Sequence, residues 1–401
     1  MRERQASKIN TIKDDALSTL LKEQPECALA ARRLPLAAHR PPPTDRQEMA
    51  AAAASTYFVT GATDGIGLHT ARRLAATAPP GSAVILHGRD PARLARAAEL
   101  VDAARSGGSA ADADAVAIRL APVCDLASAG REGLRALAKG VVSSSSAGGA
   151  PLTVVHNAGV YAPRREMAAF GGGVGGGGSG EFERTWATNV LAPFALQHAL
   201  LLELGWRRAD GSFSSAAAAP PVLLAPPPPS APPPPPPPVL ARVVVTSSLS
   251  AQHGPLDFGN LQGERGYSGH AAYSLSKACN QAFAARLAEV LGGGGGGGGD
   301  GGGGGATTTK HPPPPTVFSL DPGTVDTKML RSGWQGFQGI RVETADDTWW
   351  LATAPTPGGA ESGAYFVGRR VARKVEAAPD RATVDRLWAL WREQTGCDDL
   401  F

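Results

Sequence analysis

Tyr273 and Lys277 stand four residues apart in Tyr273-Ser274-Leu275-Ser276-Lys277, at the head of a run in which Cys279, Phe283, Leu287 and Val290 repeat with helical spacing. On a helix that separation puts both side chains on one face. A free phenol, with a pKa near about 10, is a poor base at neutral pH. An ammonium beside it favours the phenolate, so Lys277 is expected to lower the pKa of Tyr273. Such a tyrosine would give or take the proton of an alcohol or carbonyl group. Upstream, Ser248 ends a short apolar run, and its hydroxyl would hold the substrate oxygen. The Tyr-x-x-x-Lys spacing also arises by chance on exposed helices, so the chemistry depends on the company this pair keeps. Asn189 is a further candidate. It shares a helical stretch with Trp186, Val190 and Phe194, and Pro193 follows it by four residues. Proline has no N–H, so the Asn189 carbonyl would lack its helical partner and be free to bind a water leading to Lys277. An ordinary proline kink facing solvent is the other reading.

A second set of residues suits a phosphate-bearing ligand. The first apolar run leads into Thr60-Gly61-Ala62-Thr63-Asp64-Gly65-Ile66-Gly67. Glycines there permit a tight turn, and the N–H groups of the helix that follows would meet a pyrophosphate. The spacing is G-x-x-x-G-x-G rather than the commoner G-x-G-x-x-G. Asp64 is out of place beside a phosphate, which a carboxylate would repel. Farther on, Asn157-Ala158-Gly159 ends the fourth apolar run with small residues that would let backbone lie against the ligand.

Placing these residues together requires strands that end side by side. Tyr57–Thr60, Ala83–His87, Val116–Leu120, Leu152–His156, Arg242–Ser247 and Thr316–Leu320 read as short buried strands, and Ala364–Val367 is a candidate seventh. Helical stretches lie between them, among them Ile66–Ala78, Pro91–Arg105, Phe182–Leu204 and Ala271–Leu291. This alternation predicts an α/β protein: a single Rossmann-type, doubly wound parallel sheet of about seven strands with helices on both faces. Nearly continuous apolar strands fit burial on both sides.

Much of the remaining chain reads as insertion. The 50 Gly and 34 Pro among 401 residues concentrate near 171–180, 211–238 and 292–315. Glycine tracts lose too much entropy on ordering, and proline runs favour extended polyproline II, so solvated loops are expected. Without them roughly 280 residues remain, suited to one α/β domain over 49–401. Residues 1–48 read as an N-terminal extension. Arg32, Arg33 and Arg40 in an acid-free stretch favour an organellar address, whereas Asp14, Asp15, Glu23 and Glu26 speak against one. Met49, followed by five alanines, is an alternative start. The compartment stays open between cytoplasm and organelle. Cys27, Cys124, Cys279 and Cys397 are far apart, so neither a metal site nor a disulfide framework is expected. Lys+Arg 39 against Asp+Glu 36 gives no like-charge block, and nucleic acid is not an expected partner. No apolar run reaches the roughly 20 residues of a membrane span. Peripheral membrane contact and a homodimer are both left open.

Taken in order, Thr60–Gly67, Asp125, Asn157–Gly159, Asn189, Ser248, Tyr273, Lys277 and Pro322-Gly323 resemble the short-chain dehydrogenase/reductase family. The resemblance runs from about Ser55 to Gly396, insertions apart. It implies hydride transfer between a nicotinamide cofactor and an alcohol or carbonyl group. Ser248, Tyr273 and Lys277 would be catalytic, and Asn189 would complete the proton relay. Ser247 is the less expected serine, one residue early. Gly61, Thr63, Asp64, Gly65, Ile66 and Gly67 would cradle the cofactor. Asp125 and Leu126 would meet its adenine, and Asn157, Ala158 and Gly159 would back it. Tyr273 and Lys277 would contact the nicotinamide ribose. The turn of Pro322, Gly323, Thr324, Val325 and Thr327 would touch the nicotinamide end. The acid that binds the ribose of NAD would sit at Gly88, which has no side chain. Arg89 beside it would pair with a 2′-phosphate, so NADP(H) is expected over NAD(H).

The 25 positions from Ser248 to Tyr273 are a long link, with Asp257-Phe258 and Tyr267 inside it. That length is similar to the retinol-dehydrogenase, WW-domain-oxidoreductase and protochlorophyllide-reductase branch. Asn157-Ala158-Gly159 and the ending Tyr365-Phe366-Val367-Gly368 favour its retinol-dehydrogenase-like side. The expected substrate is a small apolar alcohol or carbonyl compound, with Trp334, Phe337, Trp349 and Trp350 as candidate pocket residues, unless they are core. A light-dependent pigment reductase and a catalytically idle NADP-binding scaffold are the competing readings.

Overall fold

Thr56–Val59 (β1) and Ala83–Leu86 (β2) are buried at every position, as strands covered on both faces must be. The computed structural model describes residues 53–105, 115–145, 149–171, 180–206, 238–292, 313–355, 357–372 and 380–397. The expected extension over 1–48, and nearly all of the three low-complexity insertions, lie outside the described residues. After β2 come Ala117–Leu120 (β3), Pro151–His156 (β4) and a hairpin of Met167–Phe170 (β5) with Gly180–Glu183 (β6). Val239–Thr246 (β7), Thr316–Asp321 (β8), Tyr365–Val367 (β9) and Arg370–Ala372 (β10) complete the strands.

The main sheet has eight strands in the order β10-β9-β8-β7-β4-β1-β2-β3, and β5 pairs with β6 apart from it. All neighbours in the main sheet are parallel except β9 and β10. The strand count exceeds the expected seven because β10 turns back on β9. Strand order reverses between β1 and β4, and ligands of open α/β sheets bind at such a point, beyond the carboxyl ends of the strands.

Gly65–Thr77 (α1), Pro91–Asp102 (α2) and Gly130–Ser143 (α3) follow the first three strands. The next helix (α4) joins Arg184–Trp186, a π-type stretch Ala187–Leu191, and Ala192–Glu203. It begins later than the sequence suggests, because Phe182 and Glu183 belong to β6. The Glu183 carboxylate instead caps it, accepting from Thr185 N and Trp186 N at 2.9 Å each. Gly269–Gly292 (α5), Lys328–Gly333 (α6), Asp347–Thr353 (α7) and Arg381–Thr395 (α8) follow. Leu134 of α3, Phe194 of α4, Leu287 of α5 and Trp391 of α8 share one apolar core. Leu74 of α1, Leu94 of α2 and Leu351 of α7 share a second. Helices thus cover both faces, as expected of a doubly wound sheet.

Candidate active site

The glycine turn is braced from the end of β4. Thr60 Oγ1 accepts from Asn157 N and Ala158 N, each at 3.0 Å. Asn157 Nδ2 in turn donates to Thr60 O at 3.0 Å. Gly61 has φ +67°, and a Cβ there would lie 2.9 Å from the Ala158 Cα. A Cβ on Gly67 would lie 2.3 Å from the Gly61 carbonyl oxygen. Neither position accepts a larger residue without moving the turn. Asn157 therefore works as a clamp on the loop.

Asp64, the misfit of the sequence reading, is fully engaged. Its Oδ1 caps α1 by accepting from Gly65 N at 2.9 Å. Its Oδ2 meets Arg93 Nη2 at 3.1 Å and Lys328 Nζ at 2.6 Å. Burial raises its pKa, but the Lys328 hydrogen bond, the Gly65 N–H and the two cationic charges outweigh this and hold it below the ordinary carboxylate value. Arg93 and Lys328 thus neutralise the expected repulsion. Lys328 escaped the sequence reading because it lies 264 residues along the chain.

A cavity of about 540 Å³ runs beyond the strand ends. It is lined by Thr63, Gly65, Ile66, Gly88, Arg89, Arg93, Cys124, Asp125 and Leu126. A Cβ at Gly88 would lie 2.4 Å from the Thr63 Cγ2, so Thr63 occupies the space an acid at 88 would need. Asn157, Ala158 and Gly159 and the turn of Pro322, Gly323, Thr324, Val325 and Thr327 also line the cavity. Thr327 also caps α6, its Oγ1 accepting from Leu330 N at 3.2 Å.

Ser248, Tyr273 and Lys277 line the same cavity. Ser248 is the N-cap of a short 3₁₀ turn, Leu249–His253, and Ser250 donates to its Oγ from both N and Oγ, at 3.2 and 3.1 Å. Ser247 is committed elsewhere, its hydroxyl donating to Lys277 O at 2.7 Å. Lys277 Nζ donates to Thr246 O at 2.8 Å and lies 5.5 Å from the Tyr273 ring centroid. Burial lowers its pKa to about 8, against the pull of Asp321. Tyr273 departs from expectation. Burial first, then the Asp321 carboxylate, raise its pKa, and the Ser248 hydrogen bond only offsets this. The phenol is a proton donor in this state.

Asn189 lies within the π-type stretch, where Ala192 N reaches back five residues to Ala187 O. Its side chain ties three segments. Oδ1 accepts from Val160 N at 2.8 Å, while Nδ2 donates to Val160 O and to Ser276 Oγ, each at 3.0 Å. A Cβ on Gly159 would be 3.4 Å from Asn189 Oδ1 and 3.5 Å from Lys277 Nζ. The asparagine therefore fixes the loop after β4 against α5.

On the substrate side Trp334, Phe337, Leu249 and Leu330 line the cavity. The Trp334 ring stands 5.2 Å from that of Tyr273 and 5.0 Å from that of Tyr161, a residue the sequence reading passed over. Trp349 and Trp350 are not there. Trp349 is buried behind the sheet under Arg73, donating to Thr77 Oγ1 at 3.0 Å, and Trp350 packs on Phe366. Both lie on α7, which the second core claims. No group of metal-ligating side chains and no helix long and apolar enough to cross a membrane occurs among the described residues.

The switch-point cavity, glycine cradle and buried Tyr–Lys pair define a Rossmann-type oxidoreductase. No family model matches the chain. The polyprenol dehydrogenase of Mus musculus is 30% identical over 351 residues, spanning 84% of this chain and 83% of that one. A crystal structure of an uncharacterised protein from Mycobacterium paratuberculosis superposes with a TM-score of 0.55 at 22% identity, covering 89% of this chain and 98% of that one. With that identity across most of both sequences, the chain belongs to the short-chain dehydrogenase/reductase family.

Proposed function

We propose that the protein interconverts an alcohol and a carbonyl group on an apolar substrate, with NADP(H) as cofactor. The observation that carries this reading is one cavity lined by the glycine cradle and by Ser248, Tyr273 and Lys277 together. Its size falls within the roughly 300–1,000 Å³ of ligand pockets. The residues fit a dinucleotide. Gly61, Gly65 and Gly67 let the turn before α1 pack closely against Ala158, Thr327 and Asn157, and Gly323 leaves open space where a Cβ would stand. Gly88 with Thr63 against it leaves no room for a carboxylate, while Arg89 and Arg93 put positive charge in the same cavity. When bound, the nicotinamide supplies or accepts the hydride.

The chain's own residues manage the oxygen. Tyr273, held protonated by burial, donates to the substrate carbonyl oxygen and releases its proton as negative charge develops there. Ser248 supplies a second hydrogen bond to the same oxygen. Lys277, charged below about pH 8, offsets the phenolate once it forms and holds the nicotinamide ribose. Asn189 keeps the lysine's surroundings in register and completes the path for the returning proton. Trp334, Phe337, Leu249 and Leu330 exclude water and select an apolar substrate. The name of the mouse relative makes isoprenoid alcohols and their aldehydes the first compounds to try.

The test is cofactor turnover against a panel of apolar alcohols and aldehydes, in wild type and Tyr273→Phe. The variant is expected to lose about 10²–10⁴ in turnover while still binding NADP(H). Near-normal turnover by it would sink the assignment.

A further inference from the structure

Asp321 is buried at the carboxyl end of β8, lines the cavity, and has no part in the proton chemistry above. Its two oxygens are committed to two different segments. Oδ1 accepts from Leu249 N at 3.0 Å, and Oδ2 accepts from Gly323 N at 3.1 Å. Leu249 directly follows Ser248, and Gly323 is the hinge of the turn after β8, with φ +85°. One carboxylate therefore ties the segment that presents the serine to the turn on the cofactor side. Backbone pairing supports the same junction, since Ser247 N donates to Leu320 O at 2.7 Å.

We propose that Asp321 is a positioning residue of the catalytic centre, fixing Ser248 against the Pro322-Gly323 turn and setting a fixed negative charge opposite Lys277 and Tyr273. This rests on the oxidoreductase reading above. The charge is the part that a neutral hydrogen-bonding residue would not supply. From α5 it faces Lys277 and Tyr273, from α7 Asp347, and from β9 Tyr365. Asp347 is itself balanced by Arg369 at 2.8 Å. Burial, joined by the Asp347 charge, raises the Asp321 carboxyl above the ordinary carboxylate value, and its two N–H bonds and the Lys277 charge limit that rise. In return Asp321 raises the pKa of both Lys277 and Tyr273. Lys277 thus keeps its proton to higher pH than burial alone would allow.

The test compares pH profiles of kcat/KM for wild type, Asp321→Asn and Leu249→Pro, with NADPH binding followed by fluorescence. Asp321→Asn removes the charge, so the alkaline limb should move down by on the order of one pH unit. Leu249→Pro removes one donor to the carboxylate and leaves its charge. Ser248 is already extended, at φ −167° and ψ 153°, which suits the position before a proline. Here the alkaline limb should stay in place while kcat falls several-fold. An unmoved alkaline limb in a folded Asp321→Asn enzyme would overturn the proposal. Should Asp321→Asn not fold, wild-type kcat in Leu249→Pro would overturn it instead. A fully active Tyr273→Phe enzyme would fell the underlying reading, whatever these two variants do.

Discussion

Asp64 Oδ2 and Lys328 Nζ meet at 2.6 Å, joining the glycine turn to the start of α6. Lysine and aspartate are 76% and 44% exposed, so the pair contributes at most about 1 kcal/mol to stability. Its consequence is for binding. Without Lys328 the carboxylate faces an incoming pyrophosphate with only Arg93 against it. Lys328→Ala should leave the unfolding midpoint nearly unchanged and weaken NADP(H) roughly three- to tenfold, most visibly at low salt. Adding Asp64→Asn should restore affinity. A double-mutant cycle on the dissociation constant checks this, and additive effects would mean that the two side chains act independently.

Cofactor choice is expected to turn on Arg89. A hydrogen bond to a charged group is worth about 1.5–3 kcal/mol, or roughly a ten- to hundredfold preference for NADP(H) over NAD(H). Arg89→Ala should remove most of it. Titration of both cofactors into wild type and variant reads the result directly. Equal wild-type affinities would reject the preference itself. A preference that survives the mutation would shift the role to Arg93.

Most of the sheet was legible because its strands are short apolar runs, and the candidate site residues stood out because they follow the ends of those runs. Two strand features were hidden. Arg370–Ala372 is a three-residue edge strand with two exposed positions, too short to carry a pattern. The β5–β6 hairpin has its two strands on either side of a glycine tract, so no turn signal links them. The roles of Asp64, Asp321 and Lys328 were not legible either, because each depends on a partner brought close only by the fold. The same holds for Tyr273, since residue types reveal a nearby lysine but not the burial and the Asp321 carboxylate that raise its pKa. Trp349 and Trp350 stood open between pocket and core, because residue type does not say which face of the sheet a helix covers.

The C-terminal helix should be indispensable to the fold. Trp391 is fully buried, with its ring 5.8 Å from Phe194 and 6.3 Å from Trp388. It closes the core over α4, whose buried positions include nearly every residue from Thr185 to Leu201. Truncating a buried tryptophan to alanine costs about 3–5 kcal/mol. Trp391→Ala should therefore lower the urea midpoint strongly. Turnover per folded molecule should be retained at low temperature, since Trp391 does not line the cavity. A loss below about 1 kcal/mol would show that α8 is dispensable.

The pH dependence of carbonyl reduction follows from Lys277. Its amine is protonated in the folded chain below about pH 8 and neutral above, against 10.5 for the free side chain. Reduction needs the charge to offset the phenolate, so kcat/KM, which reports the free enzyme, should be flat near pH 7 and fall above about 8. Stability runs the other way for this residue. Between about 8 and 10.5 the folded chain holds fewer protons at this site than the unfolded chain, so the contribution of Lys277 to the unfolding free energy rises with pH. A fall in activity accompanied by an undiminished urea midpoint between pH 8 and 9.5 would therefore be titration and not alkaline unfolding. Activity unchanged through pH 9.5 would mean that the lysine charge is not required, and the role given to Lys277 would have to be withdrawn.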